Sequence, residues 1–278
     1  MSNLPTILEG SDLHVEFPTR RGPFAAVDGV SLQLGVGERL GLIGESGSGK
    51  STLALALMRL IKPPGQITSG HIVLDGVDIL GLTEQEMRQR RLADIALVTQ
   101  GAMNSLNPVM RIRDQMIDAM QAHGQQLSKH EWHDRLADLL HSVNLRPEVA
   151  DLFPHQLSGG MKQRVCIATA ISLRPRVVVA DEPTSALDVV VQRRVVQTLR
   201  KLQKELGASV ILVGHDMGLM AQFAQRVAVM RYGKLVEVGD VREIFARPRH
   251  PYTRQLMESL PTLHDRGSFE AGMHAEPA

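Results

Sequence analysis

The stretch that most constrains this chain is "ERLGLIGESGSGKSTLALALM", residues 38–58. A short apolar strand runs into a glycine- and serine-rich loop, and the loop opens a segment with helical spacing that continues to Ile61. Gly44 to Ser51 fit G-x-x-x-x-G-K-S/T in the strand–loop–helix context the pattern requires. Glycines let the backbone curl until its N–H groups point at phosphate oxygens, and the helix start adds partial positive charge. On this reading Gly44, Glu45, Ser46, Gly47, Ser48 and Gly49 make a phosphate cradle that runs on to Thr52. Lys50 holds the β- and γ-phosphates, and the Ser51 hydroxyl sits on Mg2+. A plain Gly/Ser turn is the bland alternative, and Lys and Ser in register weigh against it.

Further along, "RPRVVVADEP" places four apolar residues in a row, Val177 to Ala180. Such a run does not alternate, as expected for a parallel strand covered on both faces. Asp181 closes it at the edge where α/β sheets bind ligands and would reach Mg2+ through water. Glu182 faces differently and would polarise an attacking water, as general base or orienting group. His215 ends the strand "SVILVGH", where it would contact a γ-phosphate. Gln100 ends "IALVTQ", where it would reach Mg2+ or the attacking water. Taken alone, a capping acidic pair, a structural histidine and a chance glutamine explain these residues as well.

The rest of the chain alternates strands with helices. Strand-like segments occur at 7–17 and 29–44, and "GHIVLDGVDIL" reads as a hairpin turning at Asp75-Gly76. "ADIALVTQ" is another strand. Helical spacing fills 110–151, "VVQRRVVQTLRKLQKELG" is a helix, and "RVAVMRYGKLVEVGD" reads as a hairpin before a short helical tail. This order predicts an α/β domain with a mainly parallel sheet, interrupted by an inserted all-helical block near 110–160. Lys plus Arg number 31 against 30 Asp plus Glu, so no global attraction to nucleic acid or anionic lipid is expected. The hydrophobic share of 43% suffices for a core. The one cysteine, Cys166, excludes an intrachain disulfide. The start lacks the basic and apolar regions of a signal peptide, and no run of about eighteen apolar residues predicts a membrane span.

In order and spacing these motifs resemble the ATP-binding cassette (ABC) ATPases, from about Leu8 to Gly239. "GESGSGKS" looks like the Walker A loop, and "VVVADE" looks like Walker B with the catalytic glutamate. "LSGGM", Leu157 to Met161, resembles the LSGGQ signature, and "SALD", Ser185 to Asp188, resembles the D-loop. Gln100 and His215 match the Q-loop and switch histidine, and Phe17 matches the aromatic that stacks on adenine. The resemblance implies a P-loop NTPase (RecA-like) core with a mainly parallel sheet, an N-terminal antiparallel β subdomain and an inserted helical subdomain at about 101–160. The ABC ATPase domain would span 6–257. An extension would occupy 246–278, and its polar end is expected to fray.

The resemblance also implies ATP and Mg2+ and a second ABC ATPase chain, identical or paralogous. Two membrane permease subunits and an extracytoplasmic solute-binding protein complete the assembly, at the cytoplasmic face of the inner membrane. No nucleic acid is expected. ATP would lie between Walker A of one chain and the signature of the other, with Ser158 and the amides of Gly159 and Gly160 meeting its γ-phosphate. "NSLNPVMRI", "LSGGMKQRV" and above all "RPRHPYTRQLMESLP" look like the dipeptide, oligopeptide and nickel importers. The sequence departs from the usual pattern at Met161, at Gly101-Ala102 and at Gly214. No cysteine follows the HPYT element, His250 to Thr253, which leans toward the nickel or metallophore type and leaves peptides open. An ABC-like subunit of a soluble assembly, such as the carbon–phosphorus lyase type, is the alternative. A nucleic-acid-linked ABC ATPase ranks below it, having neither coiled coil nor zinc module here.

Overall fold

Val177 to Asp181 is buried along its whole length, and so is Ser209–Val213 beside it. Strands of this kind need cover on both faces, and that requirement organises the molecule. The computed structural model describes residues 4–99, 101, 105–184 and 188–258. Gln100, Ala102, residues 185–187 of the "SALD" stretch and the tail beyond Glu258 lie outside the described residues.

In chain order the elements are β1 Thr6–Thr19, β2 Gly22–Gly35, β3 Arg39–Ile43, α1 Lys50–Leu57, β4 Gln66–Leu74, β5 Val77–Asp78, α2 Glu84–Arg90 and β6 Ile95–Val98. Then come α3 Ile112–Gln121, α4 Lys129–Ser142, two 3-10 turns at Pro147–Asp151 and Pro154–Gln156, and α5 Gly159–Ala170. The last part holds β7 Val177–Asp181, α6 Val189–Leu206, β8 Ser209–Val213, α7 Met217–Phe223, β9 Arg226–Arg231, β10 Lys234–Asp240, α8 Val241–Ala246 and α9 Pro251–Glu258.

Two sheets result. One has the order β2-β1-β4-β5 and is antiparallel. The other has the order β10-β9-β3-β8-β7-β6, parallel throughout except for β10 at its edge. Alternate residues of β7 feed different cores. Val177 and Val179 join the antiparallel sheet and α1, whereas Val178 and Ala180 join α3 to α6. The helical block is packed on that second face, since Ile112, Met116, Trp132 and Leu136 share a cluster with Ala96, Val98 and Val178.

The Asp75-Gly76 hairpin forms as expected, with both residues at positive φ (49° and 77°), as a type I′ turn requires. Tyr232 and Gly233 do the same between β9 and β10 (48° and 78°). One expectation needs correction. The helix after the glycine loop stops at Leu57 rather than running to Ile61. Arg59 takes φ 53°, its N–H bonds the Ala56 carbonyl and the Leu60 N–H bonds that of Leu55, a Schellman termination with arginine in the glycine position. The Arg59 guanidinium reaches the carbonyls of Ile79 (3.0 Å) and Leu82 (2.5 Å), which holds it there. α2 carries no apolar period that would mark it in the sequence, since only Met87 is buried in it. Its signal is the capping box of Thr83 and Glu86, with the Thr83 N–H 2.7 Å from the Glu86 carboxylate.

Candidate functional site

The C-terminal end of β3 delivers the chain into the glycine loop. Gly44 (φ 151°) passes so close to β9 that a Cβ there would stand 2.3 Å from the Met230 carbonyl oxygen. Gly49 (φ 102°) would meet the Ala26 carbonyl at the same distance. Only glycine fits at these two points, and between them Glu45, Ser46 and Gly47 are exposed as the lip of the loop. Gly49 caps α1 without a side-chain hydrogen bond, so the first amides of the helix are left for a ligand.

Lys50 folds back inside this loop. Its Nζ donates to the carbonyls of Gly44 (2.8 Å) and Glu45 (2.7 Å) and lies 3.4 Å from Ser48 Oγ. The side chain is 5% exposed, and burial lowers its pKa against the opposing pull of Glu182, Asp181 and Glu45. Ser51 Oγ donates to Asp181 Oδ1 at 3.0 Å, which joins the start of α1 to the end of β7. Burial raises the Asp181 carboxyl, Glu182 adds to the effect, and Ser51 and Lys50 oppose it. Both shifts are desolvation penalties on opposite charges, which a triphosphate with a divalent cation would offset. A serine hydroxyl and a carboxylate are hard oxygen donors, and Mg2+ takes one or two such ligands with phosphate and water. The pair therefore fits that ion. Thr52 follows, half-buried.

Glu182 departs from the strand. It takes φ 43°, and its N–H bonds the Val213 carbonyl at 3.0 Å, so its side chain diverges from that of Asp181. His215 approaches it from the end of β8, with Nδ1 3.5 Å from Glu182 Oε1. The imidazole is 71% exposed and the carboxylate 19%, which places the pair at the rim. Asp216 caps α7 through the Leu219 N–H (2.9 Å) and fixes the turn that carries His215.

Removing the Lys50 ammonium is expected to weaken ATP binding about 30-fold, one charge-assisted hydrogen bond of roughly 2 kcal/mol. Titration of Lys50→Ala with a fluorescent ATP analogue measures this, and an unchanged affinity would count against the cradle.

Other expected residues lie apart. Ser158 caps α5 and accepts the Met161 N–H at 3.3 Å. Gly159 and Gly160 open that helix, and a Cβ on Gly160 would stand 2.5 Å from Val191 of α6. Among the described residues no hydrogen bond or ion pair joins 158–160 to the glycine loop. Phe17 pairs with Phe24 across β1 and β2, and the two rings share one face of the hairpin. Phe17 is half-buried against the core, whereas Phe24 is 57% exposed. Gln100 cannot be placed, lying outside the described residues. Two contacts were not foreseen. The Gly233 N–H bonds the Ser48 carbonyl at 2.9 Å, and the Glu45 N–H donates to the Tyr252 hydroxyl at 3.0 Å. The sequence flags Tyr252 through the HPYT element, without saying where it lands.

Comparison with known proteins is consistent with this geometry. The family model described as "ABC transporter" matches residues 27–185. The model described as "Oligopeptide/dipeptide transporter, C-terminal region" matches 236–276. The chain is 43% identical over 97% of its length to the oligopeptide transport ATP-binding protein OppD of Bacillus subtilis, covering 76% of that protein. It is 44% identical over 92% of its length to the dipeptide transport ATP-binding protein DppD of Haemophilus influenzae, covering 78%. Among solved structures, it resembles the dimeric post-hydrolysis state of the ATP-binding cassette MJ0796 bound to ADP and Pi. That match has a TM-score of 0.75 and 28% identity over 84% of this chain and 99% of the other. The cbiO1 protein of Clostridium perfringens, part of the complex cbiONQ, matches with a TM-score of 0.73 and 27% identity over 92% and 96%.

Proposed function

The chain belongs to the ABC transporter family of ATPases, and from that premise we propose that it is the ATP-hydrolysing subunit of a peptide importer. The observation that carries the peptide reading is the C-terminal match at 236–276, together with identity to oligopeptide and dipeptide transport ATPases along nearly the whole chain. The same match favours transport over the soluble-assembly alternative. It also moves the preferred solute from nickel or a metal chelate to a peptide.

ATP would bind with its phosphates in the loop 44–52, Lys50 on the β- and γ-phosphates and Phe17 beside the base. Ser51 and Asp181, with Gln100, would hold Mg2+, which when bound neutralises charge on the phosphate oxygens. Glu182 would take a proton from the attacking water, and His215 beside it would contact the γ-phosphate. Ser158, Gly159 and Gly160 would close the site from a second ATPase chain, an arrangement supported by the dimeric ADP- and Pi-bound relative. Two permease subunits and an extracytoplasmic binding protein complete the proposed assembly, with no nucleic acid. Among the described residues no helix is long and apolar enough to cross a membrane, so the permeases would tie the chain to the cytoplasmic face. We take 6–257 as the ATPase domain, with the helical block at about 101–160 as the surface that meets the permeases, and 246–278 as the extension.

Deleting the chain in its host should abolish uptake of labelled di- and tripeptides while leaving nickel uptake unchanged. Wild-type chain should restore peptide uptake and Lys50→Ala should not. Loss of nickel uptake with peptide uptake intact would refute the peptide reading.

A further inference from the structure

The HPYT element, His250 to Thr253, lies in the C-terminal region shared with peptide transporters and outside the catalytic residues. The structure places it against the nucleotide loop. Glu237 of β10 accepts the N–H groups of Arg249 (2.8 Å) and His250 (3.0 Å), which fixes the approach to α9. His250 Nδ1 then takes the Tyr252 N–H at 3.1 Å. Tyr252 points inward with 1% of its surface exposed, and its hydroxyl accepts the Glu45 N–H at 3.0 Å. The Arg231 guanidinium at the end of β9 lies 4.5 Å from the centre of the Tyr252 ring and 5.0 Å from that of Tyr232. Among the described residues its buried Nε has no hydrogen-bond partner, and both ring faces lie against the guanidinium. The next turn completes a second hold, with the Gly233 N–H on the Ser48 carbonyl. Both shoulders of the glycine loop, at Glu45 and at Ser48, are thus hydrogen-bonded to the last third of the chain.

We propose that Tyr252 is a positioning residue for the nucleotide loop, and that through it the C-terminal helix sets how tightly this chain holds ATP. The inference rests on the reading of 44–52 as the ATP cradle. Lys50 ties the Glu45 carbonyl from inside the loop, and Tyr252 ties the Glu45 N–H from outside. Together they hold the segment in which Lys50 must exchange loop carbonyls for phosphate oxygens. Burial raises the Tyr252 phenol above its ordinary pKa, so it stays a neutral acceptor across the physiological range.

Tyr252→Phe deletes only the hydroxyl. In the full chain it should raise the Kd for a fluorescent ATP analogue about fivefold, about 1 kcal/mol at 1.4 kcal/mol per tenfold. A merely structural ring would lower the melting temperature and leave that Kd unmoved. Glu45→Pro removes the donor, and in that background Tyr252→Phe should change the Kd no further. An unchanged Kd in Tyr252→Phe alone, or the same fivefold step in the Glu45→Pro background, overturns the proposal. Lys50→Ala, titrated alongside, separates the failures. If it loses affinity and Tyr252→Phe does not, only the positioning role fails. If neither loses affinity, the cradle reading fails with it.

Discussion

Glu182→Gln should lower ATP turnover of the assembled transporter by about two to three orders of magnitude while leaving ATP bound, as expected when a general base is lost. Two adjacent carboxylates stand at and just beyond the end of β7, and the backbone gives them different neighbours. Asp181 is the last residue of the strand and is tied to Ser51 at 3.0 Å. Glu182 sits at φ 43°, a conformation that costs a residue other than glycine roughly 1 kcal/mol or more. The sheet imposes it through the N–H bond to Val213. The result is a carboxylate that diverges from the Ser51 contact and meets His215 at 3.5 Å. Glutamine keeps the size, the shape and an oxygen for that contact, but cannot accept a proton from water. The neutral amide also removes repulsion against the phosphates, so bound ATP should persist. Phosphate release by the reconstituted assembly and retention of labelled ATP together decide it. Rapid release by the variant would remove Glu182 from the chemistry.

Much of this was legible in the sequence, for identifiable reasons. The loop 44–51 and the run 177–181 carry patterns that few other folds use, because curling around phosphate and burial on both faces each restrict residue choice strongly. The Asp75-Gly76 turn was legible because Asp-Gly suits the positive-φ pair that a two-residue connection needs, and the hairpin at 226–240 uses the same pair at Tyr232-Gly233. The weaker readings failed where long-range contacts decide. Leu53 to Leu57 and Leu60 share one apolar texture, yet the helix ends between them because Arg59 finds carbonyls at Ile79 and Leu82. Nothing local in "MRLI" announces partners some twenty residues away. α2 shows one buried side chain and is held by its cap, so a hydrophobic period could not reveal it. The contact of Tyr252 with Glu45 spans 207 positions in the chain. A motif of four residues says that something is kept there, and only the sheet order, with β9 between β10 and β3, shows what it touches.

Ser158→Arg should leave ATP binding by the isolated chain unchanged and cut hydrolysis by the paired chains about 100-fold or more, the usual loss when a donor to developing phosphate charge is removed. The two glycine-bearing stretches of this sequence sit on different scaffolds. α1 packs on β1, β2, β7 and β8, whereas α5 packs on α3, α4, α6 and β6. Ser158 and the first amides of α5 form a helix start with its own partial positive charge, suited to an anion such as phosphate. A mixture of variants tests that separation with the chain paired with itself. Lys50→Ala ruins the cradle and keeps the signature, and Ser158→Arg does the reverse. If a site draws its halves from two chains, a mixed pair contains one site built from both intact halves, and phosphate release should recover in the mixture. If each chain closed its own site, every site in the mixture would carry one lesion, and the mixture would be as inactive as either variant alone. Recovery therefore requires that "LSGGM" be the complement of "GESGSGKS" on a neighbouring molecule, and its failure would return both halves to a single chain.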